Sequence, residues 1–406
     1  MFALKKHDLI ALASIPLIMT LANSMLIPVL PLMQHKLRIT PLQSSLIITV
    51  YAAISIVCIP IAGYLSDRFG RKRIIIIGLS LATLGGLVSA ISAWQLEHYG
   101  AYTGILIGRI IQGIGAAGAF PIVIPFVGDM FDSKEEVSSA LGVIETSNTF
   151  GKVVSPILGS ALTLIVWFMP LTAIPIISII SIGAISIFVA GPKQQQEQQQ
   201  TVTFMKFLSR VRDILSEKGR WLYAIFAIGG FTMFIMFGIL YFLSSVLEED
   251  YHIDGVKKGF LLAIPLGAIC LASYMTGKFI GTDKRRMKWI NFVGTVLLSV
   301  CMAVCLFIDT KGIVILFIFL SMCGIGIGFV LPCLDALITE GIDKEQRGTI
   351  TSIYSSMRFI GVAAGPLVAS LLLKNDRIMF TMYACVGLIC SGIALFAIKP
   401  SKDKKQ

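Results

Sequence analysis

The sequence predicts an all-α integral membrane protein of twelve transmembrane helices arranged as two six-helix bundles. Three observations carry this. Of 406 residues, 56% are hydrophobic and only 14% charged, against about 25% charged in an ordinary soluble domain. Apolar segments of about 20 residues, the length that crosses the hydrocarbon core of a bilayer, recur along the whole chain. Glycine- and proline-bearing segments of the first half also return in the second at a nearly constant offset.

Spans are expected at 8–32, 42–64, 74–94, 101–127, 136–161 and 163–190, then at 221–246, 257–280, 289–308, 313–338, 347–372 and 377–398. The first is too long for a signal-peptide core and runs into Pro28 and Pro31 without a small-residue cleavage site, so it reads as a retained helix. The run Gly191-Pro192-Lys193 followed by a glutamine-rich stretch to Gln200 is a polar, low-complexity linker. The organisation is therefore an N-terminal bundle over 1–190, a cytoplasmic linker over 191–220, and a C-terminal bundle with a short basic tail over 221–406. Inside the linker, Phe204, Phe207, Leu208, Val211 and Leu215 share one helical face opposite Lys206, Arg210 and Arg212. That pattern fits a helix lying on the inner membrane surface, and equally a loop helix packed on the bundle.

The net charge of +11 is a topology signal. With the N-terminus inside, most Lys and Arg fall in cytoplasmic segments, and only Arg109, Lys152 and Arg358 lie deep in spans. The positive-inside rule then puts both termini in the cytoplasm and leaves no case for nucleic acid. Trp94 and Trp167 fall at outer span ends, and Trp221 and Trp289 at inner ones, as in an aromatic belt. The eight cysteines all fall in predicted helices, without disulfide framework or metal spacing. The four histidines (7, 35, 98 and 252) are scattered, and neither a phosphate-binding loop nor a Ser/His/Asp grouping is readable. No enzyme, cofactor or metal is expected, and the energy source is expected to be an ion gradient.

The halves resemble each other. Gly151 to Ser160 aligns with Gly361 to Ser370, Gly113 to Pro121 with Gly324 to Pro332, and Gly63 to Arg73 with Gly277 to Arg286, at offsets of 210, 211 and 214 residues. Near-constant offsets imply duplication of a six-helix unit. Parallel repeats about an axis normal to the membrane are a recurring transporter plan, with the solute site between halves near the midplane.

The fifth span carries the most chemistry. It holds Glu145 and Lys152 in an otherwise apolar helix, and intramembrane charges are costly and usually kept for function. Its small residues Gly142, Gly151, Ser155, Gly159 and Ser160, with Pro156, form a smooth face that lets another helix approach. Gly361, Gly365 and Pro366 repeat that pattern in the eleventh span. Glu145 lies about ten residues into its span, which at about 1.5 Å per residue is near the midplane, and it is the only carboxylate placed so deep. Two readings follow. Glu145 is the proton carrier, with Arg109 and Lys152 adjusting it, since burial raises a carboxyl pKa and a neighbouring cation lowers it. Alternatively the three form a fixed ion-pair network holding the fourth and fifth spans together.

Arg358, mid-way along the eleventh span, has no acid beside it in sequence. It can receive an anionic group of a solute, reach Glu145, or satisfy carbonyls. Met233, Phe237 and Tyr241 on the seventh span, with Tyr51 and Asn148, are candidates for the cavity wall, because methionine and aromatic surfaces re-pack around varied ligands. Packing or lipid contact is the plainer alternative. Asp129 and Asp335 fall near inner span ends. Asp129 suits an inward gate with Arg68 or Arg71, the alternative being solvated loop charges.

The loop Gly63-Tyr-Leu-Ser-Asp67-Arg68-Phe-Gly70-Arg71-Lys72-Arg73 resembles the signature loop of the major facilitator superfamily at every main position. Leu21, Ala22, Pro28 and Pro31 resemble the first-helix motif of twelve-helix drug–proton antiporters, with Ala22 where glycine is usual. Ile105, Arg109, Gln112, Gly113, Gly115, Ala116 and Ala117 match the fourth-helix motif, whose arginine is linked to proton transfer. Gly142 to Ser160 resembles the antiporter motif of helix 5, with Ser155 and Ser160 in place of two glycines, and looks like a bacterial branch of multidrug and siderophore exporters. The resemblance implies a major facilitator fold and proton-driven export of amphipathic drugs or siderophore-like metabolites by alternating access. It implies a monomer in the bacterial plasma membrane whose partners are lipid, protons and a small solute. The alternatives are a proton-coupled importer of a metabolite and a transporter-like receptor.

Overall fold

The computed structural model describes residues 2–130, 134–189, 204–280, 283–307, 312–342 and 344–398. The first span is α1 (Phe2–Ser24), a 3-10 turn (Ile27–Val29) and α2 (Leu30–Leu37). Proline has no N–H to donate, and Pro28 and Pro31 sit where this helix is interrupted and restarts. Each later helix supplies one span: α3 (Pro41–Phe69), α4 (Arg71–Gln95), α5 (His98–Met130), α6 (Lys134–Leu162) and α7 (Met169–Phe188). The second half follows with α8 (Phe204–Glu249), α9 (Gly255–Ile280), α10 (Lys284–Cys305), α11 (Ile313–Gly341), α12 (Lys344–Leu372) and α13 (Asp376–Phe396).

Local chemistry sets the boundaries. Thr40 opens α3 with a capping box: its hydroxyl accepts from the Gln43 N–H at 3.2 Å and its own N–H donates to the Gln43 side chain at 2.9 Å. Gly70, at φ 94°, turns α3 into α4 in a conformation open to glycine and little else. Gly219, at φ 47°, breaks α8, so that the seventh span proper is Gly219–Glu249. The linker run 191–200 lies outside the described residues. The segment from 204 is helical, but most of the side chains that would separate an interfacial helix from a bundle-packed one are outside them too.

Among the described residues, eleven helices are long and apolar enough to cross a membrane. The exception is α6, which carries Glu145, Lys152 and the row of small residues. It packs between α1 and α9, and a helix shielded by protein need not match lipid. All eight cysteines lie in helices as free thiols.

Duplication is visible in the packing. A Cβ added to Gly113 would lie 2.6 Å from the Tyr51 carbonyl on α3, and one added to Gly324 2.6 Å from the Pro265 carbonyl on α9. Gly115 meets the Gly78 carbonyl on α4 at 2.5 Å, as Gly326 meets that of Gly294 on α10 at 2.7 Å. Gly151 and Gly159 press α6 onto the first span at Leu17 and Met25, as Gly361 and Gly365 press α12 onto α8 at Gly230 and Phe234. Backbone-to-backbone contact between small residues is the usual means of close helix approach in lipid. Here the aligned pairs Gly113 and Gly324, Gly115 and Gly326, and Gly151 and Gly361 make it in both halves, while Gly159 and Gly365 do so at non-equivalent positions of the paired helices.

The halves meet along α3 with α12 and α6 with α9. Thr49 donates to the Ala363 carbonyl at 2.8 Å, and Ser45 and Ser370 share a hydrogen bond at 3.2 Å. Among the described residues, a set of close contacts joins the halves at the face away from the chain termini. There Ser44 and Tyr241 bond at 3.2 Å, Ser244 donates to the Ile27 carbonyl at 3.2 Å, and a Cβ on Gly259 would lie 2.6 Å from the Pro156 carbonyl. Next to this seal the fully buried Lys258 pairs with Glu248 at 2.5 Å, tying α9 to α8.

Candidate functional site

A cavity of about 590 Å³, counting its open mouth, lies between the halves. Tyr51 on α3, Asn148 and Lys152 on α6, Met233 and Phe237 on α8, and Arg358 on α12 line it. The structure thus brings to one wall six of the nine cavity and proton-site residues that the sequence singled out; Tyr241, Arg109 and Glu145 are not on it. Met19, Thr20, Asn23 and Ser24 on α1, Phe120 on α5, and Ser355, Phe359 and Val362 on α12 complete the lining. They were missed because, in spans apolar all round, a wall residue and a lipid-facing one read alike. The spacing of Met19, Thr20 and Asn23 around one helical face is the one signal available. Tyr241 is a correction: it is not on the wall. It is fully buried at the sealed end, donating to the Pro41 carbonyl at 3.0 Å.

Arg109 is a second correction. It does not join Glu145 and Lys152. Its fully buried guanidinium donates to the carbonyls of Ile47 at 2.9 Å and Ala22 at 3.1 Å, to the Gln112 side chain at 2.9 Å and to the Asn23 side chain at 2.6 Å. It also stands 4.2 Å from the centre of the Tyr51 ring, within cation–π range. Arg109 thus fastens α5 to α1 and α3 and lies behind the cavity wall, with Tyr51 and Asn23 in front of it. Arg109→Lys is expected to fail as a replacement, because an ammonium offers three donors from one point and cannot span these acceptors. The purified variant is expected to melt at lower temperature, with at least the value of one charged hydrogen bond lost, about 1.5–3 kcal/mol. An unchanged melting curve would refute the clamp.

Lys152 lines the cavity and makes no ion pair within 4 Å among the described residues. It lies in electrostatic range of Glu145, Arg358 and Asp335. Glu145 accepts from Asn148 at 3.2 Å, and Asn148 in turn accepts from Thr20 at 2.5 Å, so a chain of hydrogen bonds runs from α1 to the carboxylate. Glu145 is half-buried and keeps access to solvent. A second carboxylate, near the end of its span, joins this cluster. Asp335 on α11 pairs with Arg358 at 3.5 Å and lies in electrostatic range of Glu145. The cavity therefore has cations along its wall and a carboxylate from each half at its edge.

In the loop between α3 and α4, Arg71 bonds Asp129 at 2.5 Å and Asp67 at 3.7 Å. Lys72 donates to the carbonyls of Val189 at 2.6 Å and Ser186 at 3.3 Å on the α7 end. Arg68 instead stands over the exposed Phe69 ring at 5.3 Å. These charges join α3, α4, α5 and α7 within the first half. Gly63 reaches the second half, where a Cβ would stand 3.6 Å from the Ser352 hydroxyl. Among the small residues of the helix-5 motif, Ser155 is buried and donates to the Gly151 carbonyl at 2.5 Å, and Ser160 is buried too, so serine keeps the face smooth. Gly142 lies in α6, and its surroundings are outside what is described.

Two bundles of membrane-crossing helices, related by duplication and closed around a charged, aromatic cavity, define a membrane transporter. The model of the Major Facilitator Superfamily matches residues 12–366 and 323–406, and the chain belongs to that superfamily. It is 49% identical over 401 residues to the bacillibactin exporter of Bacillus subtilis (strain 168), spanning 98% of both chains. It is 24% identical over 384 residues to multidrug resistance protein 2 of the same strain, spanning 92% of this chain and 91% of that one. The crystal structure of the human organic anion transporter MFSD10 (TETRAN) superposes with a TM-score of 0.72 over 96% of this chain and 99% of the other, at 17% identity, a likeness of fold.

Proposed function

We propose that the protein exports amphipathic small molecules, phenol-rich siderophore-like compounds among them, in exchange for protons. The observation that carries this is the cavity between the halves. Aromatic and methionine side chains give it an adaptable apolar wall, while Lys152 and Arg358 offer donors to phenolate or carboxylate oxygens. Similarity to a bacillibactin exporter along the whole chain supports a siderophore-like cargo, and similarity to a multidrug resistance protein supports tolerance of several. The distribution of Lys and Arg supports a plasma-membrane orientation with both termini in the cytoplasm. In that orientation the sealed end faces outward, and Glu145 and Asp335 stand on the side from which cargo would load. Glu145 is the group proposed to carry the proton, the protein acts as a monomer, and no chemical change of the cargo is involved.

The test uses everted membrane vesicles with an acid interior. Adding catecholate siderophores and amphipathic drugs one at a time is expected to release protons through the protein, read by a trapped pH-sensitive dye. Cargo accumulation without proton release would remove exchange. Cargo movement only in right-side-out vesicles would replace export by import.

A further inference from the structure

We propose that Asp335 determines the charge specificity of the cavity: it neutralises Arg358 at the wall, and an anionic ligand must displace it. This rests on the reading of the cavity as the ligand site.

The three deep cations are held in three different ways. Arg109 spends its donors on four uncharged acceptors and is walled off by Tyr51. Lys152 faces the cavity with no ion-pair partner within 4 Å among the described residues. Arg358 also faces the cavity, but its guanidinium is engaged from behind by Asp335 at 3.5 Å and stands 5.5 Å from the Tyr354 ring. Asp335 itself is not on the lining. An anion entering the cavity therefore meets one open cation and one masked cation.

The pair is also made to be exchanged. At 3.5 Å it is longer than a tight charge-assisted bond, usually about 2.7–2.9 Å. Asp335 keeps a third of its side chain accessible, at 33%, whereas Arg358 keeps 13%. A displaced carboxylate thus has solvent to return to, which lowers the cost of the exchange. Among the described residues, the groups facing Asp335 include Arg358 and Tyr354 on α12 and Glu145 and Lys152 on α6. The pair is accordingly the point where the two halves sense each other's charge. An uncharged phenolic ligand has no reason to break it, so in the natural protein the anionic form of a ligand gains over the neutral form from Lys152 alone.

The experiment measures equilibrium binding of 3,4-dihydroxybenzoate and its uncharged amide to the purified full-length protein. In Asp335→Asn, carboxylate binding is expected to tighten by about tenfold or more, the scale of one charged hydrogen bond, while amide binding changes less than about twofold. Adding Arg358→Gln to that variant is expected to abolish the gain. An unchanged ratio of carboxylate to amide affinity, or failure of the carboxylate to bind Asp335→Asn while the amide binds, overturns the proposal. Should Asp335→Asn not fold, Arg358→Gln decides. There it is made together with Asp335→Ser, so that the whole neutral pair is removed: a masked arginine predicts a carboxylate loss below about threefold, and any larger loss overturns the mask. Charge discrimination that behaves as expected in a protein failing the vesicle assay would remove the export reading and leave this one. Export with unaltered discrimination would do the reverse.

Discussion

Replacing Glu145 by glutamine is expected to stop cargo-dependent proton release in everted vesicles while leaving a folded protein that still binds cargo. The geometry makes this substitution clean. Among the described residues, the Glu145 carboxylate accepts a hydrogen bond from Asn148 at 3.2 Å, and glutamine retains an acceptor oxygen at that place. Asn148, which lines the cavity, therefore stays oriented through its bond with Thr20. What glutamine removes is the ability to gain and lose a proton. Glu145→Ala removes both the proton site and the support of Asn148, and is expected to weaken cargo binding as well. The two variants separate the roles the sequence left open. Proton release that persists in Glu145→Gln but fails in Glu145→Ala would make the residue a structural strut and shift the coupling to Asp335. Transport by the natural protein is expected to respond to the imposed proton gradient, and transport by the glutamine variant to be indifferent to it. Facilitated, gradient-independent leak of cargo through Glu145→Gln would be consistent with a site that binds but no longer couples.

The fold was legible because its determinants are local and repeated. The recurring apolar segments and the small residues at a near-constant offset needed no knowledge of contacts. The same repeat reappears as the matched contacts of Gly113 with α3 and Gly324 with α9. Much of the cavity was legible for a related reason. A polar or charged residue in an apolar span is expensive against lipid, so Asn148, Lys152 and Arg358 had to face inward, and they do. The partners were not legible. Arg109 is satisfied largely by carbonyls of α1 and α3, which every residue possesses and no sequence pattern marks. Asp335 lies on a different helix from Arg358 and near the end of its span, where an acid looks like an ordinary interfacial charge. Tyr241 and Phe237 are four residues apart on one helix face, yet one seals the interface and the other lines the cavity. Depth along the helix decides between them, and depth depends on where the halves touch.

The second large effect concerns that touching, and it is expected from Gly361→Val. A Cβ at this position would lie 2.1 Å from the Gly230 carbonyl and 2.7 Å from the Phe234 nitrogen on α8. Both neighbours are backbone atoms of a helix, so neither can swing aside as a side chain would. The helices must separate, and α8 and α12 are also the two that bring Met233, Phe237, Arg358 and Phe359 to the cavity. Overpacking of a close-packed interface costs about 1–3 kcal/mol when side chains can yield, and a backbone collision belongs at or above the upper end of that range. Gly361→Val is therefore expected to lower the melting temperature of the purified protein and to lose binding together with stability. Gly183 on α7 supplies the comparison, because a Cβ there meets nothing within 4 Å. Gly183→Val adds the same atoms to a membrane helix without a collision, and is expected to melt like the natural protein and to keep its transport. If the two variants melted alike, helix approach at Gly361 would not be what holds the second half together. The matched glycines would then be a record of duplication without a present structural demand. If only Gly361→Val fails, the demand is current, and Gly159 in the first half, which is not the aligned position but whose Cβ would likewise collide with a backbone carbonyl, that of Met25, should fail for the same reason.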